Sequence, residues 1–241
     1  MYTSTHRRHA VETLGALTAA MLIAAAMLIA PGTRVASAEA KPCPDVDVIF
    51  ARGTFEPPGA GVTGQAFVDA LQARLAPKAV DVSPVDYPAS LDFANGAGAG
   101  VADASRQVTA AVARCPKTEI VLGGYSQGAA VSGYVTSDTV PANFPLPEGI
   151  TGPMPPEVAR HVAAVVLFGK PSAGFLNFLV HDAPPIDIGR LYAAKTIDLC
   201  AAEDPVCSPT GNDRGAHGSY VSNGMADQAA DFTARAIERT A

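Results

Sequence analysis

The chain has 241 residues, 48% of them hydrophobic and 17% charged, with a formal net charge of −6. That apolar content is enough for a substantial buried core, and the acidic balance excludes a default nucleic-acid binder.

The first 38 residues read as a secretory signal peptide: His6-Arg7-Arg8-His9 is basic, residues 14–30 carry no charge, and Ala36-Ser37-Ala38 is a small-x-small cleavage site. Ala38-Glu39-Ala40 is an alternative site. The competing reading is a retained anchor helix. Seventeen uncharged residues sit at the lower limit for spanning a bilayer, and here many are alanines followed at once by Pro31. Cleavage after Ala38 leaves residues 39–241 as a single domain, and its 14 basic and 22 acidic residues give it a charge of −8. No stable membrane insertion is expected of it.

In chain order, Val46-Asp-Val-Ile-Phe-Ala51 alternates and then turns apolar, which predicts a central strand. Arg52-Gly53-Thr54-Phe55-Glu56-Pro57-Pro58-Gly59 follows as a loop. Apolar spacing predicts a helix over 65–75, a strand over 79–85 and an alanine-rich helix over 101–113. The run 119–122 is a short buried strand, and small residues from Ala129 to Gly133 can continue as a helix. Residues 141–156 are Pro-rich and read as a loop. Residues 162–168 are wholly apolar, a strand buried on both faces. A further strand over 194–199 and a closing helix over 226–237 complete the pattern. Strands alternating with helices indicate a mostly parallel sheet covered on both sides.

Between the third strand and its helix stands Gly124-Tyr125-Ser126-Gln127-Gly128, a G-x-S-x-G motif. Strand, sharp turn and helix is the context in which this motif is a nucleophile elbow. The alternative is an ordinary glycine-rich turn, so the rest of the chain must supply a base and an orienting acid. Of the histidines beyond the leader, His161 borders the apolar strand and His181 sits in a loop before Pro184-Pro185. His217 lies in a tight loop ahead of the last helix, where α/β hydrolases place their base. Asp204 lies between Cys200 and Cys207, where a disulfide would pin the carboxylate. The order Ser126, Asp204, His217 is that of α/β hydrolases and not of chymotrypsin or subtilisin. The four cysteines Cys43, Cys115, Cys200 and Cys207 read as two disulfides in an exported chain. Three pairings are possible, and Cys200–Cys207 with Cys43–Cys115 is the most economical. No C-x-x-C pair or histidine spacing suggests a metal site, and no cofactor is expected.

Taken together, these motifs resemble the cutinase family, especially the cutinase-like secreted esterases of mycobacteria. The matching residues are Ala51-Arg52-Gly53-Thr54 with Glu56, the Gly124–Gly128 motif, Cys200 through Asp204-Pro-Val-Cys207, and His217-Gly-Ser-Tyr220. The resemblance implies a three-layer α/β-hydrolase fold without a lid, the same two disulfides, and no metal or cofactor. It also implies an oxyanion hole formed by the Gln127 amide and by Thr54 through its amide and hydroxyl. The activity implied is hydrolysis of short- to medium-chain carboxylic esters by a monomeric enzyme. Acetyl-xylan esterase, phospholipase, thioesterase and polyester hydrolase share that chemistry, and a non-catalytic exported wall protein is the reading from another class. Two residues depart from the family pattern. Phe55 replaces a small hydroxyl residue, and the loop Ser-Pro-Thr-Gly-Asn-Asp-Arg-Gly-Ala over 208–216 is polar where fungal cutinases are apolar. The polar loop argues against cutin and for short acyl chains.

Overall fold

The computed structural model describes residues 42–140 and 148–240. The expected signal peptide and the first part of the Pro-rich loop lie outside the described residues. Five parallel strands form one sheet: β1 (Val46–Ala51), β2 (Val80–Pro84), β3 (Glu119–Tyr125), β4 (Val162–Phe168) and β5 (Thr196–Leu199). Their order is β2-β1-β3-β4-β5. The helices are α1 (Gly61–Leu75), α2 (Phe93–Arg114), α3 (Gln127–Val135), α4 (Ala173–Leu179), α5 (Arg190–Ala193) and α6 (Met225–Thr240).

Two cores follow from the pleat, since alternate residues of a strand face opposite sides. Ile49, Ile120, Leu122, Val165 and Leu167 pack under α2 and α3. Val48, Phe50, Val121, Val166 and Phe168 pack under α1 and α6, where Phe50, Phe67 and Phe168 meet with ring centroids 6.0–6.4 Å apart. Every residue of β1 and β4 is buried, which is why both read as nearly continuous apolar runs. Asp47, the polar exception in β1, accepts from Ser83 Oγ at 2.8 Å.

The chain leaves β1 for one edge of the sheet and returns on its other side at β3. That reversal opens a crevice beyond the carboxyl ends of β1 and β3, where ligands of open α/β sheets bind. Ala51 pairs with Gly124 at the last step of this register, so the loops carrying Thr54 and Ser126 emerge side by side. Among the described residues, no helix is long and apolar enough to cross a membrane. Cys43–Cys115 ties the entry to β1 to the end of α2, and Cys200–Cys207 closes the loop after β5.

Candidate active site

At the end of β3 the backbone turns through Ser126 with φ +54° and ψ −118°. This is a sterically costly conformation for a residue with a Cβ, of the kind that concentrates at functional sites. The Ser126 amide donates to Phe168 O at 2.9 Å, and its carbonyl accepts from Ala129 and Ala130 as α3 begins. The flanking glycines are forced by contact: a Cβ on Gly124 would stand 2.1 Å from Gly128 O, and one on Gly128 1.9 Å from Ala51 O. The elbow is therefore pressed against the end of β1. First-turn amides of a helix have no intrahelical acceptor, and Gln127 and Gly128, the first residues of α3, supply two of them directly after Ser126.

The structure brings Ser126, His217 and Asp204 into one chain of hydrogen bonds. His217 Nε2 lies 2.9 Å from Ser126 Oγ, and His217 Nδ1 lies 2.8 Å from Asp204 Oδ2. An ionised carboxylate only accepts, so Nδ1 carries the proton and the Nε2 lone pair faces the serine hydroxyl. Asp204 is fully buried inside the Cys200–Cys207 loop, and its Oδ1 accepts the Val206 amide at 2.9 Å. The other two histidines among the described residues stay apart. His161 precedes β4, at the opposite end of the sheet from the elbow, and His181 is exposed beside Asp182.

The loop after β1 is held from below. Arg52 is buried and donates through Nε to Glu56 O at 2.8 Å and through Nη2 to Tyr87 O at 2.6 Å, while the Tyr87 hydroxyl donates back to Arg52 O. Burial pushes the Tyr87 phenol well above its ordinary pKa, so it remains a donor. The Glu56 carboxylate takes the amides of Gly53 at 2.6 Å and Val62 at 2.7 Å. Thr54 Oγ1 donates to Gln127 Oε1 at 3.3 Å, and the buried Gln127 carboxamide donates to Ser90 O at 3.1 Å. Thr54 and Ser126 line the same pocket, and the Thr54 hydroxyl proton is engaged by the Gln127 side chain.

Sequence reasoning gave no individual role to two tyrosines that frame the histidine. Tyr125 donates to His217 O at 2.5 Å, with its ring 5.0 Å from the imidazole, and burial raises its pKa. Tyr220 donates to Asp204 Oδ2 at 2.5 Å. Tyr220 lies three residues after His217 in the 3₁₀ turn Ala216–Val221, where residues i and i+3 eclipse, a geometry that the sequence, read here as a tight loop, did not show.

In front of Ser126 lies a pocket of about 250 Å³. Leu91, Phe93, Phe175, Leu179 and Val206 line it, with Phe55 at its rim. Phe55 has φ +65° and is 73% exposed, and its amide donates to Ala89 O at 2.8 Å. No residue of the polar segment 208–216 lines this pocket; its apolar lining comes from Phe175 and Leu179 of α4 and from Phe55, Leu91, Phe93, Pro171 and Val206. Among the described residues no cluster of His, Cys, Asp or Glu could hold a metal ion.

A serine on a strained elbow, an imidazole and a buried carboxylate at the carboxyl end of a doubly covered parallel sheet define the α/β-hydrolase class. The cutinase family model matches residues 42–237, and the chain belongs to that family. It is 45% identical over 232 residues to carboxylesterase Culp1 of Mycobacterium tuberculosis, covering 96% of this chain and 97% of that one. It is 42% identical over 231 residues to phospholipase Culp4 of the same organism, covering 96% and 95%. Among solved structures it resembles a Trichoderma reesei cutinase in complex with a phosphonate inhibitor, with TM-score 0.60 and 30% identity over 81% of this chain and 78% of that one.

Proposed function

We propose that this protein is an exported serine carboxylesterase working through an acyl-enzyme formed on Ser126. The observation that carries the reading is the unbroken relay from Asp204 through His217 to Ser126, at 2.8 and 2.9 Å. Ser126 Oγ attacks the ester carbonyl while His217 Nε2 takes its proton. Negative charge then develops on the carbonyl oxygen, facing the amides of Gln127 and Thr54. Collapse expels the alcohol, protonated by His217, and water attacks the acyl-enzyme by the same steps in reverse.

The substrate class follows from the pocket. About 250 Å³ lies just under the roughly 300–1,000 Å³ of pockets that hold drug-sized ligands, and its lining is mostly apolar. That suits acyl chains of roughly four to eight carbons, over which each buried methylene adds about 0.8 kcal/mol. Residues 1–38 act as the signal peptide and 39–241 as one domain, which functions as a monomer. The two disulfides support an oxidising destination.

Ser126→Ala tests the assignment. Hydrolysis of a p-nitrophenyl ester should fall by roughly 10⁴- to 10⁶-fold with the fold intact by circular dichroism. Near-wild-type turnover in that variant would remove Ser126 from the mechanism.

A further inference from the structure

Asp204 is fully buried, and among the described residues its one ion-pair partner is His217. A buried carboxylate with no permanent cation beside it holds its charge through hydrogen bonds. Oδ1 takes the Val206 amide, while Oδ2 takes two donors at once: His217 Nδ1 at 2.8 Å and the Tyr220 hydroxyl at 2.5 Å. The direction of the tyrosine bond is fixed. Tyr220 is fully buried and its oxygen accepts the Ala201 amide at 3.2 Å, which leaves its own proton for Asp204. Burial, reinforced by that donated bond, pushes the phenol far above its ordinary pKa, so it keeps the proton at any working pH.

The neighbours do not duplicate this bond. Cys207 Sγ lies 3.3 Å from Oδ2 but is in a disulfide and has no proton to give. Tyr125, at the end of β3, donates to the His217 carbonyl, and Glu56 beyond it is held by two amides. Lys170, after β4, is paired with Asp198 of β5 at 3.3 Å. Beneath the cluster Gly169 packs so closely that a Cβ there would stand 3.0 Å from both Asp204 Oδ2 and the Tyr220 hydroxyl. The three groups are therefore locked in one arrangement.

Two donors on one oxygen compete for its charge. We propose that Tyr220 is a positioning residue of the relay: its hydroxyl fixes Asp204 Oδ2 against His217 Nδ1 and weakens the pull of the carboxylate on an imidazolium proton. His217 is thereby kept neutral, and able to act as base, down to lower pH. The inference rests on the serine esterase reading above.

The test is the pH dependence of kcat/KM on a soluble p-nitrophenyl ester. In Tyr220→Phe the unshared carboxylate holds the imidazolium proton more tightly, so the acid limb should move to higher pH by roughly 0.5–1 unit. Site-specific replacement of Tyr220 by 3-fluorotyrosine preserves the ring and makes the hydroxyl a stronger donor; there the limb should move to lower pH. The fluorinated variant decides the matter if the phenylalanine variant does not fold. Limbs that superimpose on wild type, even with a lowered melting temperature, would reduce the Tyr220 hydroxyl to a packing role and overturn the proposal. Loss of activity in Ser126→Ala alongside unshifted limbs would sink this inference alone and leave the esterase reading standing.

Discussion

Replacing both Cys200 and Cys207 by serine separates what the short disulfide does for stability from what it does for catalysis. The bridge spans a sequence separation of 7 residues, for which the loop-closure model gives about 2.4 kcal/mol. In a domain of this size that corresponds to a fall in Tm of about 5–10 °C. The catalytic effect depends on how far Asp204 moves. Part of the loop is held without the bridge: Asp204 N bonds Ala201 O at 2.9 Å, Ser208 N bonds Asp204 O at 2.8 Å, and Ser172 N bonds Val206 O at 2.9 Å. Displacement should therefore be of order 1 Å or less, costing kcat about 10- to 100-fold. KM should change less than kcat, because Val206 is the only pocket-lining residue inside the bridged loop, and most of the rest of the lining comes from α4, the start of α2, Pro171 and the loops after β1 and β2. The assay pairs thermal unfolding with steady-state kinetics well below Tm. A lowered Tm with unchanged kcat would refute the idea that the bridge positions the carboxylate.

Two further outcomes follow from the same geometry. Gly169 has φ +55°, and a Cβ there would also stand 3.1 Å from His217 Cε1, so Gly169→Ala should cost about 1–2 kcal/mol of stability by unfolding and lower kcat at least about tenfold; unaltered kcat would show that the site yields to the added methyl. In a chain-length series below micelle concentration, kcat/KM should rise about fourfold per methylene up to chains of roughly four to eight carbons. Phe175→Ala should flatten that rise while sparing acetate, whereas a steady climb to long chains with a jump at the interface would mark a lipase instead.

Much of the fold was legible because the strands obey simple periodicities. The wholly apolar β4 and the β-branched runs of β1 and β3 could only be buried, and G-x-S-x-G between strand and helix fixed where the turn falls. Helix α2 begins at Phe93, well before the expected 101, because Gly96, Gly98 and Gly100 read locally as loop. Close packing overrides that propensity: a Cβ on Gly100 would stand 2.7 Å from Val131 Cγ2, so α2 needs small residues there to lie against α3. Helix α4 carried no readable signal. It is 7 residues long and buries only Leu176, so its phenylalanines serve the pocket and the surface and show no core-facing stripe. That is why the polar loop over 208–216 looked decisive for substrate choice, although the pocket wall stands elsewhere. The relay itself was legible through residue order, but the second donor on Asp204 needed coordinates.

The central claim is tested most directly by mass spectrometry of the protein after treatment with a fluorophosphonate. The account predicts a single adduct on the peptide containing Ser126, formed in step with loss of esterase activity and absent from His217→Ala. An unlabelled protein that still hydrolyses esters, or an adduct on another serine, would contradict it.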